Sequence, residues 1–120
     1  MHKLVLVEDD ATMLSLLQTL LQMEGFQVVV PDVETLGGIL GVFRREKPAL
    51  ILMDVHLKEV NGFELLEHIR QDPELHDTLV IMSSGMDFTA KCLEAGADDF
   101  ILKPYMPDEL INLIRRRLSP

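Results

Sequence analysis

Short apolar runs alternate with amphipathic segments along the whole chain. The runs contain no alternation of polar and apolar residues, and they lie at 4–7, 28–30, 50–53, 79–82 and, more weakly, 100–102. A strand with one solvated face would show that alternation. Continuous apolar runs are instead typical of parallel strands that helices cover on both faces.

Between these runs, apolar residues recur at helical spacing. Asp10 is a natural N-cap for the first of these segments, and Gly25 ends it. Pro107 suits the first turn of the last segment. The apolar positions predict helices over about 13–21, 33–46, 63–69, 90–95 and 107–118.

Five predicted strands therefore alternate with five predicted helices, joined by short connections. Because crossovers between parallel strands are right-handed, this order demands an open parallel sheet with helices on both faces. The expected architecture is a three-layer α/β/α sandwich of five βα units. We find no repeat, low-complexity tract or internal linker, so we expect residues 1–120 to form one domain.

The composition argues against several classes of function. The 20 acidic and 11 basic residues give a formal charge of −9, which argues against direct nucleic-acid binding. The single cysteine, Cys92, excludes internal disulfides and fits a reducing compartment. No apolar stretch approaches the roughly 20 residues of a membrane helix, and no signal peptide is evident at residues 1–3. We expect a cytoplasmic domain that contacts neither nucleic acid nor membrane.

Polar residues follow several strands where a site is expected. In open parallel sheets, sites form at the carboxyl ends of strands, beside the point where strand order reverses. If the order is 2-1-3-4-5, the first and third strands are central neighbours, and Glu8, Asp9 and Asp54 converge. Crowded carboxylates repel one another unless protonated or bound to a cation. Oxygen donors favour a hard cation, so we expect Mg²⁺.

The same edge contains groups suited to phosphoryl transfer. An ionised aspartate such as Asp54 can attack phosphorus and form an aspartyl phosphate. That reaction mainly needs positioning and charge neutralisation. Lys103 could supply positive charge, and Ser84 could donate a hydrogen bond to a phosphoryl oxygen. Ser83 remains an alternative to Ser84 as the serine that contacts the phosphoryl group.

Five motifs in order carry a resemblance to a known family. They are VLVEDD at 5–10, MD at 53–54, NGFE at 61–64, SG at 84–85 and AGADDFILKP at 95–104. Each is weak alone, but their order on the predicted elements is specific. The chain resembles the receiver domain of two-component response regulators over essentially its whole length. The resemblance implies a flavodoxin-like fold with strand order 2-1-3-4-5.

The resemblance also implies residue roles. Asp54 would be the phosphoacceptor. Glu8 and Asp9 would form the acidic pair, with Asp9 a direct ligand of Mg²⁺, and Asp54 would share the metal. The backbone carbonyl of His56 would complete the protein's share of the metal shell, and the peptide bond before Pro104 would be cis.

A switch is implied beside the acceptor. Ser84 and Lys103 would contact the phosphoryl group, Ser84 would move towards it, and Phe100 would shift inward. The face of the fourth helix, fifth strand and fifth helix would then change and control an output. The donor would be a histidine kinase or a histidine phosphotransfer protein. An effector domain or protein, or a homodimer through the same face, would be the output partner.

Three positions depart from the family pattern. Lys58 stands where the family commonly has proline, which implies a less rigid loop and an extra cation near the pocket. The 19 positions from Ser84 to Lys103 are about three fewer than usual, which affects the switch surface more than the acceptor. Phe100 lacks the hydroxyl of the frequent tyrosine.

On this interpretation the domain is a signalling module that assists its own phosphorylation and dephosphorylation, not a metabolic enzyme. Two alternatives stay open. One is a pseudo-receiver, an interaction module without phosphorylation. The other is an aspartate-nucleophile phosphohydrolase, which usually has an acid/base aspartate two residues after the nucleophile, where this chain has His56. Such enzymes also enclose the substrate with a cap that this chain lacks.

Overall fold

Strands and helices alternate through a computed structural model that describes residues 1–119. The strands are β1 (Lys3–Val7), β2 (Gln27–Val29), β3 (Leu50–Asp54), β4 (Leu79–Ser84) and β5 (Asp99–Leu102). The helices are α1 (Ala11–Met23), α2 (Leu36–Glu46), α3 (Gly62–Gln71), α4 (Thr89–Glu94) and α5 (Pro107–Leu118). All strand pairs are parallel, in the order β2-β1-β3-β4-β5. The predicted flavodoxin-like topology is confirmed.

The sheet separates two apolar clusters. Along β1, Val5 and Val7 join the cluster under α2, α3 and α4, whereas Leu4 and Leu6 join the cluster under α1 and α5. Each of these four side chains is at least nine-tenths buried, and such burial contributes about 1.5–3 kcal/mol per large apolar side chain. Successive strand residues thus pack into opposite layers, which is why the runs are continuously apolar. The three-layer sandwich is confirmed.

Capping groups decide where the helices begin. Asp10 caps α1 as predicted, with its carboxylate accepting a hydrogen bond from the Met13 N–H at 3.0 Å. The predicted start of the second helix near residue 33 is wrong, because α2 begins at Leu36. Thr35 is the actual N-cap, and its hydroxyl accepts from the Gly38 N–H at 3.1 Å.

All five helices of the described chain are short. The longest, α1, has 13 residues, and α4 has only six. Within residues 1–119, no helix has the length and apolar character needed to cross a bilayer.

Candidate functional site

The carboxyl edge of the sheet gathers the predicted polar residues. The register of β1 against β3 ends at Val7 opposite Met53, so Glu8 and Asp54 are the next residues along adjacent central strands. Parallel strands end at the same edge, which brings these two carboxylates together. Lys103 follows the end of β5 at the same edge, and its N–H donates to the Ser84 carbonyl at 2.8 Å.

The Lys103 ammonium bridges two carboxylates. Its Nζ lies 2.7 Å from Asp54 Oδ1 and 2.9 Å from Glu8 Oε2. The carboxylate side chains are only 9% and 8% exposed, respectively. The Lys103–Pro104 peptide bond is cis, as the resemblance predicted. Through the Lys103 ammonium, the predicted site residues Glu8, Asp54 and Lys103 are in direct contact.

Two carboxyls and one ammonium share this edge. The pKa of Glu8 is raised to about 7, because burial and the nearby Asp54 carboxyl raise it more than the Lys103 hydrogen bond lowers it. Burial disfavours the charged form of Lys103, but its hydrogen bonds to Asp54 and Glu8 outweigh burial and raise its pKa. Near neutral pH, the Lys103 ammonium and a proton on Glu8 therefore share the neutralisation of the two buried carboxyls.

Removing the Lys103 ammonium tests this charge arrangement. Lys103→Met leaves two buried carboxylates without their ammonium partner, so we expect the free energy of unfolding to fall by about 2 kcal/mol above neutral pH. Urea denaturation measures the change. Adding Asp54→Asn removes one of the repelling charges, and the double variant should recover part of the loss. Equal instability of Lys103→Met and the double variant would contradict the bridge.

The two adjacent serines have different contacts. Ser83 is 2% exposed, and its hydroxyl donates to Asp54 Oδ1 at 2.6 Å. The Ser84 hydroxyl instead accepts from the Met86 N–H at 3.1 Å. The serine in contact with Asp54 is therefore Ser83, which the sequence left as the alternative. The role of Ser84 at a phosphoryl group stays a prediction.

Asp9 ties two loops together. Its Oδ2 accepts a hydrogen bond from the Lys58 N–H, so the β1–α1 and β3–α3 loops are joined. The backbone of His56 forms an isolated antiparallel bridge with Asn61, which closes the β3–α3 loop. These loops border an open cleft of about 540 Å³, lined by Glu8, Asp9, Asp10, Asp54, His56, Leu57 and Lys58.

The donors in this cleft suit Mg²⁺ by their chemistry. Mg²⁺ commonly takes one or two carboxylates and keeps several waters, and Asp9 and Asp54 both line the cleft. Within residues 1–119, no group of three or more His, Cys, Asp or Glu side chains is arranged to hold a metal ion. A site with two carboxylates and a backbone carbonyl does not require such a group.

An aromatic cluster beside the cleft was missed by sequence reasoning. The His56 and Phe88 rings lie 5.5 Å apart, and Phe63 meets Phe88 edge-on at 6.1 Å. The Lys91 ammonium lies 4.6 Å from the centre of the Phe63 ring. This cluster connects the residue two after Asp54 with helix α4. Phe100 is half-buried against the same apolar layer, and its predicted movement stays a prediction.

The chain is similar to known proteins both in its family and in its sequence. The family model described as the response regulator receiver domain matches residues 4–115. The transcriptional regulatory protein CpxR homolog of Haemophilus influenzae is 38% identical, covering 100% of this chain and 53% of its own length. The DNA-binding response regulator MtrA of Mycobacterium tuberculosis is 32% identical over 98% of this chain and 50% of its own. The chain thus spans about half the length of these curated relatives.

Solved structures match over nearly the whole chain. The BeF3-activated N-terminal receiver domain of Klebsiella pneumoniae RstA has a TM-score of 0.86 and 30% identity, covering 98% of this chain and 99% of its own. The signal receiver domain of a signal transduction histidine kinase from Syntrophus aciditrophicus has a TM-score of 0.87 and 29% identity. The match covers 99% of this chain and 91% of the chain from Syntrophus aciditrophicus.

Proposed function

This chain belongs to the response regulator receiver domain family, and from that membership we propose that Asp54 accepts a phosphoryl group in a Mg²⁺-dependent reaction. The donor is a histidine kinase or a histidine phosphotransfer protein. The observation that carries the proposal is the contact of the Asp54 carboxylate with the Lys103 ammonium at 2.7 Å, beside Glu8 and at the edge of an acidic cleft.

The residues divide the chemistry between them. The Asp54 carboxylate is the nucleophile, held in place by Ser83 and Lys103. As the phosphoryl group arrives, the Lys103 ammonium pairs with one of its oxygens, and the Ser84 hydroxyl at the end of β4 donates to another. These groups supply positioning and charge neutralisation.

Asp9, Asp54 and the His56 carbonyl would hold Mg²⁺, with Glu8 beside them. When bound, the ion neutralises negative charge shared by the carboxylates and the phosphoryl oxygens. The Asp9 carboxylate already holds the β3–α3 loop through the Lys58 N–H. A bound ion would therefore compete with the Lys58 N–H for the Asp9 carboxylate, or the two would share it.

The output is read from the face formed by α4, β5 and α5. Phosphorylation draws Ser84 towards the phosphoryl group and Phe100 inward, which changes that face. Leu93 on α4 and Leu102 on β5 are each nearly half exposed and give the face apolar area for a second copy or an effector. The relative MtrA is described as a DNA-binding regulator. We propose for this protein too that an effector outside this acidic domain provides the output, in the cytoplasm.

Acetyl phosphate tests the proposal directly. The protein is incubated with acetyl phosphate and Mg²⁺, and its intact mass is measured. We expect a gain of one phosphoryl group that is absent when EDTA replaces Mg²⁺. No gain at any Mg²⁺ or donor concentration would contradict the proposal and favour an interaction module without phosphorylation.

A further inference from the structure

One oxygen of the Asp54 carboxylate receives two donors. The Ser83 hydroxyl lies 2.6 Å from Oδ1, and the Lys103 ammonium lies 2.7 Å from the same atom. The other oxygen, Oδ2, has neither of these donors. The two oxygens of the Asp54 carboxylate are therefore chemically different before any phosphoryl donor binds.

Ser83 is fixed to Asp54 by the sheet itself. The two residues are register partners in the parallel pair of β3 and β4. The next residue, Val55, donates its N–H to the Ser83 carbonyl at 2.9 Å. Ser83 is also 2% exposed, whereas the Lys103 side chain is 22% exposed and follows a strand end. Lys103 can turn to an incoming phosphoryl group, but the Ser83 hydroxyl stays with the carboxylate.

We propose that Ser83 is a positioning residue that selects Oδ2 as the attacking oxygen and shortens the lifetime of the phosphoryl group on Asp54. The inference rests on the proposed function. In phosphorylation, an Oδ2 electron pair forms the bond to phosphorus. The bond from phosphorus to the donor breaks, and its electron pair leaves with the donor. Oδ1 then becomes the carbonyl oxygen of the acyl phosphate.

The Ser83 hydrogen bond favours the return reaction. In hydrolysis, a water oxygen bonds to phosphorus, and the Oδ2–phosphorus bond breaks with its electron pair returning to Asp54. Both water protons leave with the phosphate, as dihydrogen phosphate. Negative charge grows on Oδ1 as the carboxylate leaves, and a hydrogen bond to a charged acceptor is stronger than one to a neutral carbonyl. The Ser83 hydroxyl thus stabilises the transition state more than the acyl phosphate.

Ser83→Ala deletes only the hydroxyl oxygen. We expect the phosphorylated variant to hydrolyse about fivefold more slowly than the wild type, from the difference between charged and neutral hydrogen bonds. Ser83→Thr keeps the hydroxyl and should restore the wild-type lifetime. Ser83→Cys offers a weaker donor of nearly the same shape and should give an intermediate lifetime. Ser15→Ala makes the same chemical change on the exposed face of α1 and should leave the lifetime unchanged.

The experiment follows loss of the phosphoryl group. Each protein is phosphorylated with acetyl phosphate and Mg²⁺, the donor is removed by rapid desalting into Mg²⁺ buffer, and intact mass is recorded over time. Slower decay in Ser83→Ala, graded through Ser83→Cys, supports the inference. Decay as fast as or faster than the wild type, as a merely structural role would give, overturns it. If the wild type itself gains no phosphoryl group, the proposed function fails, and the inference fails with it.

Discussion

Asp54→Asn abolishes phosphoryl incorporation from acetyl phosphate while preserving the fold. The amide is not a nucleophile towards phosphorus, so we expect a loss of at least about a thousandfold, on the scale of removing a catalytic nucleophile. The amide is close in size to the carboxylate, and its oxygen can still accept the Ser83 hydrogen bond. Intact mass after incubation with Mg²⁺ measures incorporation, and circular dichroism checks the fold.

Asp10→Asn is the matched control for this substitution. Asp10 lines the same cleft, but its carboxylate caps α1 through the Met13 N–H. Asparagine caps helices as well as aspartate does, so this variant should still gain one phosphoryl group. Undiminished incorporation in Asp54→Asn would show that the acceptor lies elsewhere. Equal loss in both variants would point to general disruption of the cleft.

The fold could be predicted because each strand is a continuous apolar run, which indicates that both of its faces are packed. Val5 and Val7 pack on one side of β1, and Leu4 and Leu6 pack on the other. Right-handed crossovers then leave few topologies for five such strands. The start of α2 was predicted too early. Apolar spacing includes Val33 in the helix, but it does not detect the Thr35 hydroxyl that caps the helix two residues later.

The candidate site was predictable where it depends on strand ends and not where it depends on register. Glu8, Asp54 and Lys103 each follow an apolar run, which suffices to bring them to one edge. Choosing between Ser83 and Ser84 requires the pairing of β3 with β4, which places Ser83 opposite Asp54. No local pattern in the sequence fixes that register.

The aromatic cluster shows the same limit for long-range contacts. Phe63 lies in the first turn of α3, and Phe88 precedes α4. Their contact depends on how the two helices pack on one face of the sheet. Periodicity within either helix identifies an apolar side but not its partner across the layer.

Gly62→Ala should cause the largest loss of stability, because α3 begins against the strand that carries the acceptor. A Cβ at position 62 would lie 2.3 Å from the backbone oxygen of Asp54 and 2.9 Å from the Cα of Val55. The Gly62 N–H also donates to the Val55 carbonyl at 2.8 Å. These neighbours are backbone atoms of β3 and the residue after it, so they cannot move aside without displacing Asp54.

We expect Gly62→Ala to lower the free energy of unfolding by about 3 kcal/mol, the upper part of the usual range for overpacking, and to slow phosphorylation of Asp54. Gly37→Ala is the matched control, since position 37 in α2 is exposed and a Cβ there would meet nothing within 4 Å. Alanine should stabilise that helix by up to about 1 kcal/mol. Urea denaturation of both variants measures the difference. Wild-type stability and phosphorylation in Gly62→Ala would contradict the close approach of α3 to β3, because only a shifted backbone could accept the added methyl group.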